Sequence, residues 1–337
     1  MRGKLKAAVA GANGYAGMTL VNLLSRHPAV ELTQLTSRSL AGRPYSSVFP
    51  LLDVEGAFIA DADAAGIDVV FSCLPHSVGA PKAAAWLGAG ARVVDMSADF
   101  RLKDATQYPR WYRQEHPAPD LLEKAVFGLP ELHERELSSA ELIAVPGCYS
   151  TAAILALAPA VAAGLVGSDV VIDAKSGVSG AGRSPALGVH FSEVNETMGA
   201  YAIRGHRHLP EVRQELEALR SNGLRLTFVP HLAPMTRGIL TTCYFDLKGS
   251  LAELQDAYNE FYAGQPFTRV VPESPTTKLA SHSNLCLVNV AAQDEKAVVT
   301  AALDNLVKGA SGQGVECFNI AFGLDRKTAL ESPVQWP

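Results

Sequence analysis

Cysteine is scarce in this sequence and forms no pattern. The five thiols, Cys73, Cys148, Cys243, Cys286 and Cys317, are odd in number and widely spaced, with no CxxC pair. That spacing excludes a disulfide framework and offers no zinc site, so no metal is expected. An excess of one charge is missing too: 29 basic against 34 acidic residues leave −5, with no long run of either sign. Without a basic face, neither nucleic acid nor a membrane surface is an expected partner. No apolar stretch approaches a membrane span, and the run from Leu5 to Ala10 is too short for a signal-peptide core. A cytoplasmic location is the expectation. Anionic small substrates would have to be held by local cationic pockets.

What is present is an ordinary globular balance, 48% apolar and 19% charged over 337 residues, enough for two cores. The first third alternates in a βα manner. Lys6–Ala10, Glu31–Thr36, Ile67–Cys73 and Arg92–Met96 read as buried strands, with helices over Met18–Leu24 and Gly79–Leu87. Strands joined by helical crossovers imply a parallel sheet covered on both faces. Beyond Pro146 the pattern changes. A helix over Ser150–Ala163 precedes strands at Val170–Ala174, Leu224–Val229, Gly238–Asp246 and Leu285–Ala291, with a helix over Leu251–Tyr262. That succession suits an α+β domain on a mixed sheet. The stretch from Ala297 through Lys308 and beyond is expected to be helical. The predicted organisation is a dinucleotide-binding domain over 1–147, a catalytic domain over 148–309, and a C-terminal helix in 310–337 packing back onto the first.

The turn after the first strand reads Gly11-Ala12-Asn13-Gly14-Tyr15-Ala16-Gly17. Glycines here permit a tight turn, close backbone approach to a pyrophosphate, and tight packing of helix on strand. The position between a strand and a helix supports nucleotide binding by a Rossmann-type domain. After the second strand an NAD site usually carries Asp or Glu for the ribose hydroxyls. This chain has Thr36-Ser37-Arg38-Ser39 instead, hydroxyls around a guanidinium, which suit a 2′-phosphate. NADP is the expected cofactor.

Ile143 to Thr151 runs from a strand through Pro146-Gly147 into a helix, placing Cys148 at or just before the helix N-terminus. Backbone N–H groups and the helix dipole there stabilise a thiolate and, equally, an oxyanion on an attacked carbonyl. Such chemistry needs a proton donor and acceptor. Gly205-His206-Arg207-His208-Leu209-Pro210-Glu211 offers two histidines, and spacing alone does not choose between them. Anion sites are expected at Arg101, after the strand Arg92–Met96, and in the loop Ser176–Ser184, which joins Ser179 and Gly180 to Arg183.

Taken together these segments resemble the N-acetyl-γ-glutamyl-phosphate reductases of arginine biosynthesis, within the aspartate-semialdehyde dehydrogenase superfamily. The likeness runs in order through Gly11–Gly17, Thr36–Arg38, Leu74-Pro75-His76, Ser97–Arg101, Pro146–Thr151, Ser176–Arg183, His206–Glu211, Thr236-Arg237-Gly238 and Asp304–Ala310. It implies that Cys148 attacks an acyl phosphate, that inorganic phosphate leaves and a thioester forms, and that hydride from NADPH yields a semialdehyde. His206 takes the acid–base position. Arg101, Arg183 and His208 would hold substrate. Gly11, Asn13, Gly14, Tyr15, Ala16, Gly17, Ser37, Arg38, Pro75, Ser179, Gly180 and Asn305 would hold the cofactor. The resemblance also implies a homo-oligomer, dimer or tetramer. Reductases of a carrier-bound aminoadipyl phosphate share most of these motifs; by resemblance, Pro146 and Tyr149 set this chain with the arginine pathway. A nucleotide sensor that had shed its chemistry would lack Cys148 or the His206 segment, and both are present.

Overall fold

The computed structural model describes residues 3–50, 54–220 and 223–331. Within them the chain divides into two compact units, Met1–Pro146 with Ala310–Glu331, and Gly147–Gly309.

The first unit holds strands β1 (Leu5–Ala10), β2 (Val30–Leu35), β3 (Val69–Ser72), β4 (Arg92–Asp95), β5 (Ala125–Phe127) and β6 (Leu142–Ala144). They form a six-stranded sheet in the order β2-β1-β3-β4-β6-β5, with every pairing parallel. Helices α1 (Tyr15–Leu24), α2 (Ala80–Gly88), α3 (Tyr108–Tyr112) and α4 (Pro130–Leu137) connect the strands. Ala7–Ala10, Val69–Phe71 and Val93–Val94 are at most 1% exposed, which is why these strands read as continuous apolar runs. Chain order reverses at β1, flanked by β2 and β3. The carboxyl edge at such a reversal is where open α/β sheets bind ligands.

The second unit opens with α5 (Cys148–Ala162) and β7 (Val166–Ser176), followed by α6 (Phe191–Val194), β8 (Gly199–Ala200) and α7 (Leu209–Leu219). It continues with β9 (Arg225–Leu232), β10 (Ile239–Leu247), α8 (Leu251–Phe261), β11 (Thr268–Val270), α9 (Thr277–Ala280), β12 (Cys286–Gln293) and β13 (Lys296–Leu303). The sheet order is β11-β12-β13-β10-β7-β9-β8. It is mixed, as expected: β7 and β9 run parallel, and β10 pairs antiparallel with both β7 and β13. Helix α5 is buried from Tyr149 to Val161 and shows no amphipathic stripe, because it fills the centre of this unit's core.

The expected helix from Ala297 to Lys308 is wrong. Residues Lys296–Leu303 form β13, hydrogen-bonded to β10 on one side and β12 on the other. Its covered and open residues alternate from Lys296 to Ala301, and Val298, Val299 and Thr300 are β-branched. Two ladders override the helix preference of the alanines. Helical structure starts later, as a π-helical turn over Val307–Ser311 and then α10 (Gly312–Ala321). Helix α10 does pack into the first unit. Ser311 Oγ donates to Ala16 O at 2.8 Å, and Asn319 Oδ1 lies 2.9 Å from His27 Nε2. The expected helix over 310–337 is therefore ten residues long; 332–337 lie outside the described residues.

The end of β4 buries more carboxylate than it neutralises. Asp99 is pushed up by burial, but bonds from His76 (2.5 Å), Ser77 N–H (2.7 Å) and Ala80 N–H (3.0 Å) outweigh that and hold it below the ordinary range. Asp95, 1% exposed, is pushed up to about 6 by burial and then by the Asp99 charge, although Ser97 Oγ donates to it at 2.7 Å. Folded protein therefore holds this proton more tightly than unfolded protein does. Stability falls as pH rises between about 4 and 6, and roughly 2–3 kcal/mol is lost above that window. Asp95→Asn is expected to raise stability at pH 7.5 by up to about 2 kcal/mol, with the gain vanishing near pH 4. Thermal melts at the two pH values check this; a gain independent of pH would remove the carboxylate as its source.

Candidate active site

The glycine turn is shaped by contact. A Cβ on Gly11, whose φ is +82°, would lie 2.6 Å from Cys73 O, and one on Gly17 would lie 2.3 Å from Gly11 O. Gly14 is roomier and serves as the N-cap of α1, so Tyr15 and Ala16 form its first turn. Thr36 ties the end of β2 to this turn. Its Oγ1 accepts from Gly11 N–H at 3.2 Å, and its carbonyl accepts from Ala12 N–H at 2.9 Å. Asn13 Nδ2 donates to Ser39 Oγ at 3.4 Å, and Ser37 Oγ lies 3.3 Å from the same hydroxyl. Arg38 projects from this rim, its side chain 69% exposed and 3.5 Å from Asp61, which also pairs with Lys82. Pro75 follows β3 on the same carboxyl edge, ahead of His76. Hydroxyls and a guanidinium beside a helix N-terminus, with no side-chain atoms from Gly11 or Gly17 in the way, fit a nucleotide bearing a 2′-phosphate.

The nucleophile candidate belongs to the second unit. Cys148 is the first residue of α5, and Gly147, its N-cap, has no side chain with which to cap it. The N-terminal amides and the dipole therefore act on the thiol and on whatever it attacks. Gly147 N–H donates to Glu211 Oε2 at 2.9 Å, a carboxylate 0% exposed in the first turn of α7. Cys148 lines a cavity of about 600 Å³ together with Tyr149, Ser176, Gly180, Tyr201, His206 and His208.

The two histidines occupy different settings. His208 is buried at the N-cap of α7, and its ring lies against Gly147: a Cβ there would be 2.4 Å from Nε2. His206 is partly covered and sits among Tyr149, Tyr201 and Phe228, with ring centroids 5.4–5.7 Å away. Its Nδ1 accepts the His208 backbone N–H at 3.2 Å. That bond fixes the neutral tautomer with the proton on Nε2. Burial, and then the Arg207 charge, push His206 down to about 4, so the ring is neutral at pH 7.

The remaining expected residues are placed as follows. Ser179 is buried and Gly180 exposed; Asn305 Nδ2 donates to Ser179 Oγ at 3.0 Å, while Asn305 Oδ1 accepts Gly238 N–H at 2.8 Å. Asn305 thus pins the Ser176–Ser184 loop from within its own unit. Arg183 is exposed on that loop. Arg101, 8% exposed in the first unit, spends Nε on Val145 O (2.7 Å) and Nη2 on Met96 O (2.9 Å). It braces the strand end just before Pro146.

Sequence reasoning assigned no role to Tyr149, whose hydroxyl donates to His231 O at 3.0 Å, or to Tyr201 and Glu211. Gly309 was missed in the same way. In the π turn it approaches the nucleophile so closely that a Cβ would lie 2.8 Å from Cys148 Cβ. Gly309→Ala is expected to displace the thiol and lower kcat about ten- to a hundredfold with little change in KM, since misplacement of even an ångström is costly. Steady-state kinetics check it; an unchanged kcat would show that the turn yields freely.

Residues 6–140 match the family model described as semialdehyde dehydrogenase, NAD binding domain, and residues 148–305 match semialdehyde dehydrogenase, dimerisation domain. Among solved structures, aspartate semialdehyde dehydrogenase II from Vibrio cholerae superposes with a TM-score of 0.73 at 15% identity, over 96% of this chain and 99% of that one. The Candida albicans enzyme with NADP gives 0.70 at 15%, over 94% and 98%. These establish the fold. N-acetyl-gamma-glutamyl-phosphate reductase from Symbiobacterium thermophilum is 48% identical over 97% of each chain, and that from Pseudomonas fluorescens is 46% identical over 97% of this chain and 98% of its own. At that identity and coverage, with Cys148 at the head of its helix beside two histidines, the chain belongs to the N-acetyl-gamma-glutamyl-phosphate reductase family.

Proposed function

We propose that this chain reduces N-acetyl-γ-glutamyl phosphate to N-acetylglutamate 5-semialdehyde with NADPH, releasing phosphate, in arginine biosynthesis. The observation that carries the reading is one cavity lined by Cys148, at the N-terminus of α5, and by His206, whose Nδ1 bond leaves the proton on Nε2. Cys148 sulfur attacks the acyl carbon, and the amides heading α5 stabilise the oxyanion. The C–O bond to phosphate breaks, leaving a thioester on Cys148. NADPH, held by the Gly11–Gly17 turn and the Ser37–Arg38 rim, supplies hydride when bound. His206 Nε2–H donates to the substrate oxygen as negative charge returns to it, and the pair shares that proton until the C–S bond breaks. Cys148 leaves as thiolate, stabilised again by α5. Arg101, Arg183 and His208 serve substrate, and Pro75, Ser179, Gly180 and Asn305 the cofactor side. The working form is a homo-oligomer, dimer or tetramer, in the cytoplasm.

Running the reaction backwards tests this. With NADP and phosphate, N-acetylglutamate semialdehyde is expected to generate NADPH absorbance and aspartate semialdehyde is not; the reverse preference would overturn the substrate. The cofactor assignment has its own check in Arg38. Arg38→Ala is expected to raise KM for NADPH about ten- to a hundredfold relative to NADH, the value of a charge-assisted bond that only the 2′-phosphate can make. An unchanged ratio would move the phosphate site elsewhere.

A further inference from the structure

The cavity that holds Cys148 is almost without charge. Among the described residues that line it are glycines, apolar side chains, the hydroxyls of Ser176, Tyr149 and Tyr201, and the two imidazoles, but no aspartate or glutamate. The one permanently charged side chain of the lining is Arg207, between His206 and His208. Arg101 and Arg183 do not line it. The Arg207 charge reaches the cavity residues. After burial, it is the second influence pushing His206 down, and it opposes the rise that burial imposes on Tyr201. One guanidinium and no carboxylate suit this lining to an anionic guest.

The substrate of the proposed reaction has two anionic ends, a phosphate and an α-carboxylate, and the site treats them differently. The acyl phosphate must lie at Cys148, against the head of α5, where backbone amides meet its oxygens. Both imidazoles belong to that side: their centroids are 4.7 Å apart, and the His208 ring lies against Gly147. Burial alternates along this stretch, with His206 partly covered, Arg207 exposed and His208 buried. In an extended stretch, residues two apart share a side and the one between them faces away. Arg207 therefore meets the cavity on the side away from the sulfur. We infer that Arg207 holds the α-carboxylate of the substrate and so selects acyl chains whose far end is a carboxylate. Its planar fork pairs with both oxygens of such a group. That carboxylate stays on the molecule while phosphate departs, so one contact holds the acyl carbon in place through acylation and hydride transfer alike. The inference rests on the proposed function for the identity of the substrate, and one arm of its test needs no turnover.

The unaltered chain is compared with Arg207→Gln in two arms. The first runs the reaction backwards with NADP, phosphate and N-acetylglutamate semialdehyde. Arg207→Gln is expected to raise KM for the semialdehyde about ten- to a hundredfold, with little change in kcat or in KM for phosphate. With the α-methyl ester of the semialdehyde, the unaltered chain is expected to lose the same factor and the variant to lose no more, because both changes remove one contact. The second arm measures alkylation of Cys148 by iodoacetamide. N-acetylnorvaline, which carries the α-carboxylate and no second acid, is expected to protect the unaltered chain. Its methyl ester, or the use of Arg207→Gln, is expected to weaken that protection about tenfold or more. Arg207→Met, which keeps the apolar stem, replaces the glutamine variant if that one fails to fold. A raised KM for phosphate with an unchanged preference for acid over ester would put Arg207 on the phosphate and overturn the proposal. An ester penalty undiminished in the variant would overturn it as well. Absence of turnover in the unaltered chain, with acid-selective protection still dependent on Arg207, would support the carboxylate site and count against the proposed reaction alone.

Discussion

Cys148→Ser is expected to bind NADPH and melt like the parent chain while losing more than a hundredfold in kcat. The substitution keeps the head of α5, the Gly147–Glu211 bond and the cavity. What it removes is a sulfur, which is a stronger nucleophile than an alcohol oxygen and leaves more readily from a carbonyl carbon. A helix N-terminus can bring a thiol into the thiolate range, but not an alcohol without a strong base. Stopped-flow or steady-state assay with the acyl phosphate measures the loss. Retention of more than about a tenth of the parental kcat, a difference below roughly 1.4 kcal/mol in barrier, would contradict a covalent route.

The second large effect separates the two histidines. His206→Asn is expected to lower kcat by about 10²–10⁴ with little change in KM or stability. An Asn oxygen can still accept the His208 amide, so the loop keeps its shape while the Nε2 proton is lost. His208→Asn is expected to act on KM or stability, because its buried ring packs on Gly147 at the N-terminus of α7. The pH profile adds a sign. A ring pushed down to about 4 is neutral from pH 5 to 8, so catalysis supported by His206 is flat across that range. Its protonation, and the loss of its role, belong to a limb near pH 4. If His208→Asn removes turnover while His206→Asn keeps the full profile, the roles are exchanged.

Much of this was legible in the sequence because it rests on local sterics and burial. The glycine turn is readable because the backbone at Gly11 and Gly17 is in contact with neighbouring backbone, which only glycine allows. The core strands β1, β3 and β4 are readable because a parallel sheet covered on both faces leaves no polar alternation. Cys148 stands out because Pro146-Gly147 forces a turn at the start of a helix. What failed was decided at long range. Ala297–Leu303 has the composition of a helix, and it is a strand because β10 and β12 lie on either side of it. The bridge that Asn305 makes had no local signal: the motif marks the residue, and only the fold shows its amide between Gly238 N–H and Ser179 Oγ. Tyr201 had no signal at all; it reaches Tyr149 only because β8 pairs with β9 at the sheet edge. Glu211 did have one, a carboxylate following the two histidines, but nothing in the spacing says that it receives Gly147 N–H.

The covalent intermediate is the central claim, and it can be seen directly. Mixing the chain with N-acetyl-γ-glutamyl phosphate in the absence of NADPH is expected to release one phosphate per active site in a burst. The same mixture is expected to leave an acetylglutamyl group on the peptide containing Cys148, detected by mass spectrometry and removed by hydroxylamine or by added NADPH. Phosphate release only when NADPH is present, with no adduct on Cys148, would contradict the thioester and with it the role assigned to the head of α5.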